Sequence, residues 1–283
     1  MLQLLRSSGV RLLGLDTAIG EYWGDKAVQG RRLGPAVAVT VDDGYADFME
    51  IGLPAFVEFD CPVTSFIVPD VIDGKSWFWW DRLDWMLRRL PSQGVTVSLD
   101  GCDIVLRPDA AVPTFTWQRP LVARLKRVPK LKREEFMSAI EHSVGQSPPS
   151  EAPVAYSVMG WNDLKQCERA GVQFGAHSLS HPVLSECSSD QLRHEVNGSA
   201  IRLKAELATP SNVFCYPYGL RDDFGTRECE MLSASTFSYA VSAMPGILMP
   251  SDAPRERTDE RRWRVPRFAF DGREGMVSRQ LFF

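Results

Sequence analysis

Histidine is scarce in this sequence: the chain has four, and none follows His194. The cysteines, at positions 61, 102, 167, 187, 215 and 229, are dispersed and form no Cys-x-x-Cys pair. That excludes a thiolate-clustered metal site and a small disulfide-stapled scaffold. Each cysteine reads as a small buried apolar residue, which fits a reducing compartment. No stretch approaches the ~20 apolar residues that a membrane span needs, so no span is expected. In residues 1–20 Arg6 and Arg11 interrupt the leucines and no small-residue cleavage site follows. A cytoplasmic location is therefore expected. Positive charge is not in excess, with 32 Lys and Arg against 36 Asp and Glu for a net charge of −4. A phosphate backbone would demand a basic stripe, so nucleic acid is not an expected partner. Internal repeats and low-complexity tracts are missing too.

What is present is a chain of 283 residues, 44% hydrophobic, long enough to fill a sizeable core. The run from Gly34 to Val41 is rich in β-branched residues and ends at Asp42-Asp43-Gly44. It predicts a buried strand with two carboxylates at its C-terminal end, where α/β folds place their chemistry. A helix is expected over 45–59, broken or kinked at Pro54, and a second strand over 62–68. From 75 to 153 the pattern changes. There SWFWWDRLDWMLRRL predicts a helix, VTVSLDGCDIVL a hairpin turning at Asp100-Gly101, and two basic stretches predict helices. This segment reads as an insertion, a lid or small subdomain. Alternation then resumes: a helix over 161–170 stopped by Gly171, a strand in VQFGAHS, a helix over 189–207, and strands in NVFCYPYG and TFSYAVSA. Such alternation argues for a parallel sheet, open or closed into a barrel.

Two of the four histidines lie just past a predicted strand, in His177-Ser178-Leu179-Ser180-His181. Spaced so, both imidazoles can face one cation, and two imidazoles with a carboxylate and an open position suit a catalytic divalent metal. Such a metal acidifies water and polarises a carbonyl. His142 and His194, by contrast, sit among charged neighbours and read as solvated helix faces. The Trp77–Trp80 cluster reads as packing of the insertion, with stacking on a sugar ring as the alternative.

These motifs resemble those of the polysaccharide deacetylases, the NodB-homology group also called carbohydrate esterase family four. Thr40-Val41-Asp42-Asp43-Gly44-Tyr45, His177-Ser178-Leu179-Ser180-His181 and Tyr216-Pro217-Tyr218-Gly219 stand in family order over residues 34–243. The resemblance implies a distorted (β/α) barrel with an inserted subdomain and a zinc-like ion on Asp43, His177 and His181. It implies Asp42 as general base and the Tyr218 backbone N–H as oxyanion donor. The implied reaction is removal of N-acetyl groups from an amino sugar or polysaccharide. An O-acetyl carbohydrate esterase, or a silent carbohydrate-binding homologue, is the alternative.

The departures are specific. Cys215 occupies the position where many members carry an arginine, and no late Leu-x-His supplies a general acid. An early strand ending in Tyr-His is missing as well. Within the segment 264–273, Arg267 is the candidate to orient Asp42 by a charged hydrogen bond, and Asp271 is the alternative acid. Asp42 acting as base and then acid needs neither histidine nor Asp271.

Overall fold

Strand and helix alternate through most of the chain, as the hydrophobic runs require. The computed structural model describes residues 2–24, 34–108 and 114–270, with side chains of the last stretch from Pro120 onward. The chain divides into two compact units, one formed by Met1–Asp73 with Val158–Phe283 and the other by Gly74–Ser157.

The strands in chain order are β1 (Arg11–Leu12), β2 (Ala36–Val37), β3 (Val39–Asp43), β4 (Val63–Ile67), β5 (Val95–Leu99), β6 (Cys102–Leu106), β7 (Gln173–Ala176), β8 (Val213–Cys215) and β9 (Tyr239–Val241). The first unit holds a curled five-stranded half-barrel in the order β3-β4-β7-β8-β9, every pair parallel. Each strand lies beside its successor within that sheet, the singly wound order of a barrel rather than the reversing order of an open doubly wound sheet. β1 and β2 form a separate parallel pair, and Val265 bridges Val241 in parallel beyond β9. The architecture is thus the distorted (β/α) barrel type.

Period-two alternation sorts the side chains of this sheet into two cores. Phe66, Val213, Cys215 and Val241 pack on one face with Val265 and with Leu15, Ile19 and Trp23 of the helix Leu15–Trp23. Ile67, Phe174, Ala176, Phe214 and Ala240 pack on the other against the helices Trp161–Arg169, Ser189–Glu206 and Thr226–Ser233. Fully buried side chains such as Phe66 and Phe214 each contribute roughly 1.5–3 kcal/mol by leaving water. The helix Ser189–Glu206 starts where it does because Ser188 and Gln191 form a reciprocal capping box. His142 and His194 are exposed on their helices.

One expectation shifts in detail. The helix after β3 carries a π turn at Phe48–Gly52, and the α-helix Leu53–Glu58 continues from it. Pro54 sits at the start of that second segment, and Gly52 and Leu53 ahead of it keep right-handed helical backbone angles, with the Leu53 N–H donating to the Phe48 carbonyl, so the chain stays helical through the π turn. The irregularity therefore precedes the proline.

The second unit has its own core of Trp77, Trp79, Leu83, Met86, Leu99, Leu125, Phe136 and Ile140 among others. Its elements are the helix Trp79–Leu87, the antiparallel hairpin of β5 and β6, and the helices Thr114–Lys126 and Lys130–Val144. The hairpin turns at Asp100-Gly101 with φ of 52° and 76°, the doubly left-handed turn that suits a two-residue loop. Trp77 and Trp79 are buried in this core, and the Trp77 indole N–H donates to the Pro149 carbonyl at 3.2 Å. Among the described residues no helix is long and apolar enough to cross a membrane. Five cysteines are buried as thiols, whereas Cys102, in the hairpin, is exposed.

Candidate active site

The residues singled out in the sequence converge at the C-terminal ends of the parallel strands. Asp42 and Asp43 close β3, and His177 follows β7, its backbone N–H donating to the Ile67 carbonyl at 2.9 Å. Tyr218 follows β8. Arg267 arrives just after Val265, with its own N–H donating to the Met244 carbonyl at 2.9 Å.

Asp43 and the two histidines form one cluster. Asp43 Oδ1 lies 3.7 Å from His177 Nε2 and 3.4 Å from His181 Nε2, and both imidazoles are buried. The ligand-type atoms of the three residues all fall within 4.8 Å of one another. His177 Nδ1 lies 2.9 Å from the Cys215 carbonyl oxygen. A carbonyl only accepts, so Nδ1 carries the proton and Nε2 turns its lone pair toward Asp43. Burial also lowers the His177 pKa, against the pull of the Asp42 charge, and so favours the neutral ring. A lone pair facing carboxylate oxygen in a buried pocket is repulsive unless a cation lies between them. One carboxylate oxygen and two imidazole nitrogens are a donor set that fits a divalent cation such as zinc.

Asp42 faces a different partner. Arg267 Nη1 donates to its Oδ1 at 2.8 Å and Nη2 to its Oδ2 at 2.9 Å, a parallel fork. The same guanidinium donates to Thr40 Oγ1 at 2.9 Å, to the Ser242 carbonyl at 3.0 Å and to Cys215 Sγ at 3.1 Å. All its N–H groups are thereby engaged, and it lies over the Phe66 ring at 5.7 Å. Gly175 lets Phe66 sit there, because a Cβ at that position would stand 2.6 Å from Phe66 Cε1. Burial works against ionisation of Asp42. The Arg267 charge and the guanidinium hydrogen bonds override it and hold the carboxyl well below the usual carboxylate range.

Tyr218 adopts φ 60°, and its ring stands edge-on to His181 at 4.8 Å, which brings its backbone to the same rim. Asp271 lies outside the described residues. Cys215, noted in the sequence only as the residue standing where an arginine was expected, touches three of the groups above. Its carbonyl accepts from His177, and its sulfur contacts Arg267 and lies 3.7 Å from Asp42. Thr40 and Ser242 were not foreseen. A strand residue two before Asp42 shares its face, which is the one signal that points to Thr40.

A parallel half-barrel with an acid–imidazole cluster and a braced carboxylate at its C-terminal rim is the arrangement of a (β/α) barrel enzyme, whose chemistry sits at the strand ends. Residues 29–230 match the family model described as polysaccharide deacetylase, and the chain belongs to that family of hydrolytic deacetylases. No curated protein matches significantly. Among solved structures, IcaB from Ammonifex degensii superposes with a TM-score of 0.55 at 16% identity, covering 96% of this chain and 81% of that one. The Streptococcus pyogenes deacetylase PplD, solved in complex with acetate, gives 0.54 at 14% identity, with 94% and 76% covered. The BpsB deacetylase domain from Bordetella bronchiseptica gives 0.51 at 16%, with 94% and 81% covered. Likeness at these identities establishes the fold.

Proposed function

We propose that this chain is a divalent-metal hydrolase, with zinc the best-suited ion, that removes N-acetyl groups from an amino sugar or polysaccharide. The observation that carries the reading is the meeting, at one strand-end rim, of a two-imidazole, one-carboxylate donor set with a separately braced carboxylate. Asp43, His177 and His181 would hold the cation. Bound there, it would acidify a water and polarise the acyl carbonyl.

The chain's own groups do the remaining work. Asp42, ionised and fixed by the Arg267 fork, accepts the proton of the attacking water. The Tyr218 backbone N–H donates to the oxyanion. Amide cleavage then needs a proton on the leaving nitrogen. The guanidinium that makes Asp42 a weak base makes its protonated form a strong acid, so return of that proton to the amine is favourable. One carboxylate thus serves both steps without a late histidine.

Ester cleavage needs less help for its leaving group, so O-deacetylation is the second reading, favoured by the lack of any histidine after His194. Acetate release from an N-acetyl chito-oligomer and from an O-acetyl xylan, compared in metal-replete protein, separates the two. Release from the xylan alone would replace the amide reading. Sugar binding with release from neither would favour a silent homologue.

A further inference from the structure

The helix Ser189–Glu206 buries Leu192, Val196 and Leu203, and on the same stripe it buries Glu195, a carboxylate. A charge on the buried face of an amphipathic helix has to be compensated by hydrogen bonds. Here the compensation comes from the turn between the two histidines. Glu195 Oε2 accepts the backbone N–H of Leu179 at 2.9 Å and of Ser180 at 2.8 Å, and Oε1 accepts the Ser180 hydroxyl at 2.6 Å.

That turn needs holding. Ser178 and His181 both have positive φ, 59° and 61°, in a region that residues other than glycine adopt only when their surroundings over-determine it. The His181 N–H donates to Ser178 Oγ at 3.0 Å, and the Leu179 carbonyl accepts the Asp70 N–H at 2.9 Å. Three residues beyond Glu195, Gly198 leaves the space that Leu179 fills, for a Cβ there would lie 2.9 Å from Leu179 Cδ2. One helix therefore grips the turn twice, through its backbone donors and through its leucine.

We infer that Glu195 is a positioning residue for the metal site, acting through the turn to aim His181 at the point where His177 and Asp43 meet. This rests on the metal reading above. Its contribution is to keep the second imidazole in place before any cation arrives.

The test is zinc affinity of the full chain, measured by competition with a chromophoric chelator, with far-UV circular dichroism and thermal unfolding run in parallel. Glu195→Ala leaves two inward N–H groups without their acceptor, and affinity should fall by roughly 10–100-fold, as loss of a residue that orients a ligand does. Glu195→Gln keeps one oxygen for the two N–H groups and an amide that can donate to Ser180 Oγ, so affinity should return close to the wild-type value. Ser180→Ala, at an exposed position, removes one of the three bonds and should weaken zinc several-fold in a folded chain. Unchanged affinity in Glu195→Ala overturns the inference, as does unchanged affinity in Ser180→Ala should the first variant not fold. A Gln variant as weak as the Ala variant would assign the effect to charge and not to position, and overturns it too. A wild-type chain that binds no zinc contradicts the metal reading itself, whereas a wild-type chain that binds while Glu195→Ala binds equally contradicts this inference alone.

Discussion

Replacing Arg267 by alanine removes a cation and its donors at one stroke. Two of the lost bonds end on Asp42, and the others end on Thr40, Ser242 and Cys215. Breaking a buried ion pair costs roughly 3–5 kcal/mol. The Arg267 side chain is 16% exposed and that of Asp42 33%, so water can reach the carboxylate left behind. About half of that cost, ~2 kcal/mol, is the expected destabilisation once water screening is allowed for. At roughly 2–4 °C per kcal/mol for a chain of this size class, Tm should fall by roughly 4–8 °C. Turnover should fall further than stability implies, because an unbraced Asp42 leaves its productive orientation and a misplacement of ~1 Å costs on the order of 10²-fold. Zinc content should not change, since none of Arg267's five hydrogen bonds goes to Asp43, His177 or His181. Arg267→Lys restores charge but not the fork, and should recover stability more than rate. The assay is acetate release under saturating substrate, beside calorimetry and metal analysis. Turnover of the alanine variant close to wild type would refute the bracing role, and loss of zinc from it would mean that Arg267 supports the ligand set instead.

Asp42 and Asp43 should separate cleanly: Asp42→Asn keeps metal and loses ~10²–10⁴-fold in turnover, whereas Asp43→Asn loses metal affinity. The reverse pattern, read by metal analysis and acetate release, would exchange their roles. Gly175→Ala should push Phe66 from beneath the guanidinium and cost about 1–3 kcal/mol in denaturant unfolding, and a neutral result would show that the strand yields there. In the second unit, burial and the Asp84 carboxylate push the Tyr156 hydroxyl up to about 12. Its folded value exceeds the unfolded one of about 10, so its contribution to stability is complete below that pH and is lost as pH rises toward the folded value. Spectrophotometric titration should lose a late-ionising tyrosine in Tyr156→Phe, and an unchanged late phase would assign it to another residue.

The strand ends were legible because the β-branched run stopping at Asp42-Asp43 and the short strand-like run VQFGA stopping at His177 mark the place of the chemistry. The hairpin at Asp100-Gly101 was legible because its turn demands residues that tolerate positive φ. What local pattern could not carry is pairing across distance. Arg267 meets Asp42 from 225 positions away, brought to the rim by the parallel bridge of Val265 to Val241 and by its own N–H on the Met244 carbonyl. Glu195 escaped for a related reason. Between Arg193, His194 and the polar residues around it, a helical glutamate looks like solvated surface, and only its place three residues after Leu192 hints that it faces inward. The π turn ahead of Pro54 was also hidden, because a proline marks where a helix can begin as readily as where one breaks.

Zinc stoichiometry of the wild-type chain and of the single variants His177→Ala and His181→Ala, each paired with acetate release from an N-acetyl chito-oligomer, tests the proposed centre most directly. One tightly held ion per wild-type chain is expected, lost together with acetate release in either variant and when a chelator strips the wild type. Stoichiometric zinc in both variants, or acetate release that survives complete removal of the metal, would contradict the proposed centre.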